Sequence, residues 1–564
     1  MDNQRLILFI LFTFSVFFLM EAWQKEKNPQ PVTGTAPKAS APGQTATPVP
    51  TPTQSLNVAP PVPPAAGPPA ASGALQKGER VHVQTDVYAA EIDTAGGDLR
   101  RLELLAHRDT LDKMKNMLLL QQDPAHTYIA QSGLIGNGLP NHRTLYTASD
   151  RNITLAAGTD TVSVRLSALA GDGINVAKIY TFRRGSYVID VGYEVENKSA
   201  TAVQPDAYFQ LVRDGTAPAG DSSMLPTYTG MAVYTDREKF QKVAFADVDK
   251  GKTGYPKKST DGWIAFLQHY FLSAWLPAND ASREFYTKRL DGGLYAAGVI
   301  LSLGAIEPGA SKTFTVPLYA GPQEQDQLAK LAPGLELTVD YGWLTVIAKP
   351  LFWFLQWLHH WTGNWGAAII FLTVTIKALF YPLSATSYRS MARMRVLGPR
   401  MQKLKEQYGD DRQRMNQAMM ELYKTEKINP LGGCLPIVVQ IPVFIALYWV
   451  LLASVELRHA PFMLGIDDLS MSPIGDGFVL APFIYFVLPV LMGATMIFQT
   501  YLNPAPPDPV QAKIMKIMPI AFSIMFFWFP VGLVLYWLIN NILSIAQQWQ
   551  ITRAMEHPKP AHGK

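Results

Sequence analysis

Residues Tyr341–Leu383 read YGWLTVIAKPLFWFLQWLHHWTGNWGAAIIFLTVTIKALFYPL. Two helices are written in this stretch. In the first, Trp343 to Trp361, the rings of Trp353, Trp357 and Trp361 share one helical face. Lys349, His359 and His360 interrupt its apolar character, and such a mixed, Trp-rich helix suits headgroup depth at a bilayer interface. The second, Asn364 to Leu383, is long enough to cross about 30 Å of hydrocarbon. Lys377 lies inside it, with Thr373 one turn earlier on the same face. An ammonium costs about 2.5–3.5 kcal/mol at the centre of a span, and each apolar neighbour such as Ile369, Leu372 or Ile376 returns about 0.3–0.6 kcal/mol. The segment therefore inserts in spite of Lys377. Three readings of that lysine stand: a functional intramembrane cation, a side chain that snorkels to nearby headgroups, or simple helix pairing.

Working outward, the 564 residues suffice for more than one domain. Hydrophobic residues make up 48% and charged residues 17%, but the apolar ones concentrate at the N-terminus and after Trp343. That distribution describes a membrane protein with a soluble insert. A net charge of +4, widely dispersed, does not point to a specific nucleic acid. The single cysteine, Cys434, allows no internal disulfide and no cysteine-pair metal site. No cofactor is expected.

Upstream, Leu6–Met20 is an apolar run after Arg5, with neither a small-x-small cleavage site nor a cysteine behind it. It reads as an uncleaved signal anchor over residues 1–24, against the alternative of a cleaved signal peptide. Residues 25–77 are rich in Pro, Ala and Thr and read as an extended tether. Residues 78–335 alternate with period two. Val81, Val83 and Thr85 share a face, as do Val162, Val164 and Leu166, and Tyr187, Ile189, Val191 and Tyr193. Trp263, Ala265 and Leu267 repeat the pattern, and helical periodicity is scarce before Gln323. A large antiparallel β-sandwich follows. Its histidines are scattered, and it contains no nucleophile elbow or phosphate loop.

Downstream of the interfacial helix (residues 341–361), residues 362–556 read as a five-helix core. Its polar segment, 384–433, is basic, carries a soft row of methionines and turns at Tyr408-Gly409-Asp410-Asp411, so it reads as a helical hairpin in the cytoplasm. Further spans are expected over Cys434–Ala453, Val479–Tyr501, Ile517–Phe529 and Leu533–Ile551, with a short tail at 557–564. The last span carries Trp537, Asn540, Asn541, Ser544 and Gln548 on one face. Polar side chains inside spans usually pair across helices. No acidic residue occurs in these spans to neutralise Lys377, so a hydrated groove open to the cytoplasm, lined by Lys377, Thr373, Gln440, Trp537 and Asn540, suits the cation better.

The segments GNWG (363–366), YPL (381–383), MARMR (391–395), NPLGGCLP (429–436), QIPVFIALY (440–448), SVELRHAPF (454–462) and FWFPVGLVLYW (527–537) occur in this order. In them the chain resembles the YidC-type membrane protein insertases of Gram-negative bacteria. The resemblance implies a polytopic α-helical membrane protein of six transmembrane helices with a large periplasmic antiparallel β-supersandwich domain. It implies a non-enzymatic insertase and chaperone of the inner membrane. Its partners would be nascent membrane proteins, the Sec translocon, the ribosome (weakly, through hairpin and tail) and membrane lipids. Thr373 and Trp537 match family positions tied to substrate contact; Gln440 and Asn540 are added here from polarity alone. Lys377 stands where the family usually has arginine, which keeps the charge and loses the planar fork. A secondary transporter using Lys377 as a substrate or proton site is the alternative reading; it would need a second intramembrane titratable group or paired broken helices.

Overall fold

The computed structural model describes residues 77–556, except 111, 170–172, 219–226, 280, 410, 427–434, 476–479 and 504–508. The expected anchor, nearly all of the tether, Cys434 and the tail lie outside them. The chain divides between Val339 and Asp340 into two units.

The first unit is built of a ten-stranded and a nine-stranded sheet. Among the described residues all strand pairings are antiparallel except that of Asn152–Thr154, which runs parallel to Arg80–Gln84. Both sheets end in short strands: Lys258–Ser259 and Asn152–Thr154 in the larger, Lys239–Val243 and Thr147–Ala148 in the smaller. Period-two burial is clearest in Val188–Asn197, where Ile189, Val191, Tyr193 and Val195 all face the core. Val191 stands opposite Val316 on one side and Tyr180 on the other. Trp263–Gln268 is buried on both faces. Its Trp263, Ala265 and Leu267 pack against Leu328 of the short helix Gln325–Leu331 and against Leu335. From its other face, Phe266 meets Tyr128 of the larger sheet edge to face.

Polar bolts join the sheets. Tyr88 donates its hydroxyl to Ala320 O at 2.6 Å, and Tyr180 donates to Gly97 O at 2.6 Å. Lys178, on the strand Ile174–Arg183, donates to Gly96 O at 3.1 Å and Ser132 O at 3.2 Å. Beside it Asp98 accepts from Gln131 Nε2 at 2.8 Å, and Arg100 pairs with Asp93 at 2.9 Å. Burial pushes the Asp98 carboxyl up to about 6, against the pull of the Lys178 and Arg100 cations. Burial likewise pushes the Lys178 ammonium down, with Asp98 opposing.

The second unit is helical: α1 (Thr345–Thr362), α2 (Trp365–Leu379), α3 (Tyr381–Val396), α4 (Gly398–Tyr408), α5 (Arg412–Thr425), α6 (Leu435–Ala453), α7 (Ile484–Leu502), α8 (Pro509–Met525) and α9 (Val531–Glu556). The GNWG segment makes the first corner. Gly363, at φ 66°, ends α1 in the left-handed region and its N–H reaches His359 O at 2.7 Å. Asn364 then caps α2, accepting from Ala367 N at 3.0 Å.

The span expected to run unbroken from Asn364 to Leu383 stops at Leu379, and α3 leaves at a bend of 65°. Pro382 sits in the first turn of α3 and disfavours helical geometry in the residue before it. Among the described residues, by length and composition α7 by itself suffices to cross a membrane, α2 and α3 suffice together across their bend, and Val439–Ala453 is apolar but shorter. Internal Pro519 and the lysines of α8, and the polar face of α9, dilute the other runs. α4 and α5 flank Gly409, which has φ 50°.

Candidate functional site

The buried polar face of α9 organises the helical unit. Asn540, Asn541, Ser544 and Gln548 are all buried, and each finds a partner on another helix or in its own backbone. Gln440 of α6 donates to Asn540 Oδ1 and lies 3.5 Å from the Tyr536 hydroxyl. Ser544 donates to Asn540 O at 2.7 Å and accepts from Lys377 Nζ at 2.7 Å. Asn541 donates to Thr495 Oγ1 of α7 at 3.3 Å. Gln548 donates to Leu502 O at 3.0 Å, a carbonyl at the end of α7 that also accepts from Arg395 of α3. A polar side chain loses its water on entering an apolar bundle, and these reciprocal bonds replace it.

Four of the five predicted site residues belong to this assembly. Lys377 in the last turn of α2 is 6% exposed and turns toward α9. Among the described residues no carboxylate pairs with it. Gln440 and Asn540 bond directly. Trp537 joins by its ring, edge to face with Phe444 at 4.5 Å, while its indole N–H has no partner among the described residues. Thr373 stands apart. It is fully buried, but its hydroxyl returns to Ile369 O of its own helix at 2.7 Å. Sequence reasoning saw Ser544 only as one more polar residue on α9. Its position four residues after Asn540 was legible; its bond to Lys377 was not.

The loop after α6 closes the opposite end of the bundle. Asn364 holds Pro461 O at 3.0 Å, and Val531 and Gly532 donate to Met471 O at 3.0 Å and Leu469 O at 2.9 Å. Ile474 N reaches Phe527 O at 2.9 Å, and Tyr485 donates to Asp467. Phe462 lies so close over Gly366 that a Cβ there would meet its ring at 2.0 Å. On α1, Ala348, Phe352, Leu355 and Leu358 are buried, whereas Trp353, Trp357 and Trp361 are exposed. His359 stacks on Trp365 at 4.0 Å, and this burial, with His360 nearby, pushes its imidazole below the usual range.

The chain matches two family models, the YidC periplasmic domain over residues 80–354 and the 60Kd inner membrane protein over residues 357–559. It is 56% identical to the membrane protein insertase YidC of Nitrosospira multiformis, over 99% of this chain and 98% of that one. It is 55% identical to the protein of the same name from Methylobacillus flagellatus, with the same coverage. A solved structure of an active YidC insertase with its first transmembrane domain resolved aligns with 84% of this chain and 92% of its own, at 18% identity and a TM-score of 0.40.

Proposed function

This chain belongs to the YidC family of membrane protein insertases, and from that premise we propose how its polar row serves insertion. It is an inner-membrane protein with a periplasmic domain, and its substrates are nascent membrane proteins. In the proposal Lys377, Gln440, Trp537 and Asn540 line a groove that takes the hydrophilic segment of a client while its apolar segment partitions into lipid. A translocating polar segment needs a place where hydrogen bonds replace water. The α9 row supplies one inside an apolar bundle. The pinned loop over the far end supports entry from the other side, which the excess of Lys and Arg in α3–α5 marks as cytoplasmic.

Six spans complete the proposal: an anchor within residues 1–24 and α2, α6, α7, α8 and α9, with hairpin and tail inside the cell. The exposed Trp row of α1 suits the lipid interface, and the basic hairpin suits a ribosome. Work beside the Sec translocon belongs to the same reading. The action is non-covalent. Client partitioning drives it, aided by the membrane potential at about 2.3 kcal/mol per charge per 100 mV.

The observation that carries the reading is a buried lysine bonded to a hydroxyl and, among the described residues, to no acid. The test is insertion of one acidic-tailed and one neutral-tailed client at matched insertase levels. Lys377→Arg should support both and Lys377→Ala should fail on the acidic tail, because opposite charges attract more strongly away from bulk water. Wild-type insertion of both clients by Lys377→Ala would sink the groove.

A further inference from the structure

We propose that Ser544 is the positioning residue of Lys377, setting where its ammonium meets a client's carboxylate or carbonyl. The inference rests on the groove reading above. Nζ makes its 2.7 Å bond to Ser544 Oγ, and Ser544 sends its own hydrogen to Asn540 O at 2.7 Å. That back-bond fixes which way the hydroxyl's lone pairs face, so the serine is an acceptor toward α2. The Tyr388 phenol of α3 lies near the same hydroxyl. Asn540 is held in turn by Gln440 of α6. A continuous line therefore runs from α2 through α9 to α6, with Lys377 at its end.

The need for such a residue follows from the chemistry of lysine. Its ammonium is a point charge on a flexible four-carbon stem, without the planar fork that orients arginine. Left alone it would spread over several rotamers, and ordering it on arrival of a client would cost conformational entropy. Ser544 settles one of its three N–H groups in advance and leaves two facing a fixed direction. The serine acts through the lysine and does not touch the client.

The competing account is a hydroxyl that only packs α9 against its neighbours. Full-length Ser544→Ala, Ser544→Thr, Lys377→Ala and the Ser544→Ala/Lys377→Ala double variant, reconstituted in liposomes, separate the two. Ser544→Ala should lower insertion of an acidic-tailed client about threefold, the usual size of one interhelical polar bond, and spare a neutral-tailed one. Ser544→Thr should restore it, and Ser544→Ala should add nothing in the Lys377→Ala background. Equal loss on both clients, or a loss that persists without Lys377, would overturn the proposal in favour of packing. Impairment by Lys377→Ala with wild-type behaviour of Ser544→Ala would overturn the positioning role alone. Wild-type behaviour of Lys377→Ala would overturn the groove with it. Should the alanine variant fail to accumulate, Ser544→Cys, close in size and a weak acceptor, carries the same expectations.

Discussion

Among the described residues two lysines are buried, one in each unit, and their surroundings are opposite. Lys178 is 0% exposed, bonds two backbone carbonyls and has the Asp98 carboxylate beside it. Lys377 is 6% exposed and bonds one neutral hydroxyl. The first reaches from one sheet to carbonyls and a carboxylate of the other, so it serves as a bolt. The second, among the described residues, keeps donors unspent in an apolar bundle. Burial is shared by both; only the partners separate a structural cation from a working one.

The comparison breaks first at Lys178. Lys178→Met leaves the buried Asp98 with the Arg100 guanidinium, 3.6 Å away, still beside it, and should cost about 3 kcal/mol at pH 7.5. The folded Asp98 carboxyl already titrates near 6, above its ordinary 3.8. Protonation therefore favours the folded state: that contribution is complete below the ordinary value and is lost as pH rises through about 6. The variant should lose less at pH 5 than at pH 7.5, read by β-sheet melting of the full chain in detergent. Equal losses would remove Asp98 as the partner. Asp98→Asn is the milder cut, at about 1–3 kcal/mol in the same melts, because Lys178 keeps its two carbonyls.

At Lys377 the sign should reverse. Lys377→Met should leave helical melting unchanged or raise the unit's stability by about 1 kcal/mol, while insertion of acidic-tailed clients falls. A clear drop in melting temperature would make Lys377 a second bolt. Lys377→Arg should show the smallest effect, within about twofold of wild-type insertion, since the charge stays and only donor geometry changes.

Much of the first unit was legible because a buried sheet face enforces period two. Ile189, Val191 and Tyr193 announced their strand directly. That it pairs with Ser311–Pro322, more than a hundred residues away, left no such mark. The alternation of Trp263, Ala265 and Leu267 told half the story, since Leu328 and Leu335 cover that face and the other sheet covers the opposite one. In the helical unit, hydropathy carries no direction, so Asn364–Leu383 read as one helix although Pro382 held the signal for the 65° bend. Polarity gathered the site residues without their bonds. It could not distinguish Thr373, which turns back to Ile369, from Ser544, which reaches Lys377 across 167 positions.

The short strands that end each sheet matter for a protein whose substrates are not yet folded. An extended, unfolded chain seeks unpaired strand edges, and a long open edge would capture it by adding a strand or would seed fibrils. Three of the four terminal strands here are only two or three residues long, and two of them pair just two residues each of the longer strands Thr161–Leu169 and Arg283–Arg289. The fourth, Lys239–Val243, is the longest at five and carries Lys239 and Lys242, charges that discourage docking. The periplasmic sandwich thus guards its terminal strands by brevity and charge, and exposed Arg165, Lys288 and Arg289 place charges along the stretches those strands leave uncovered.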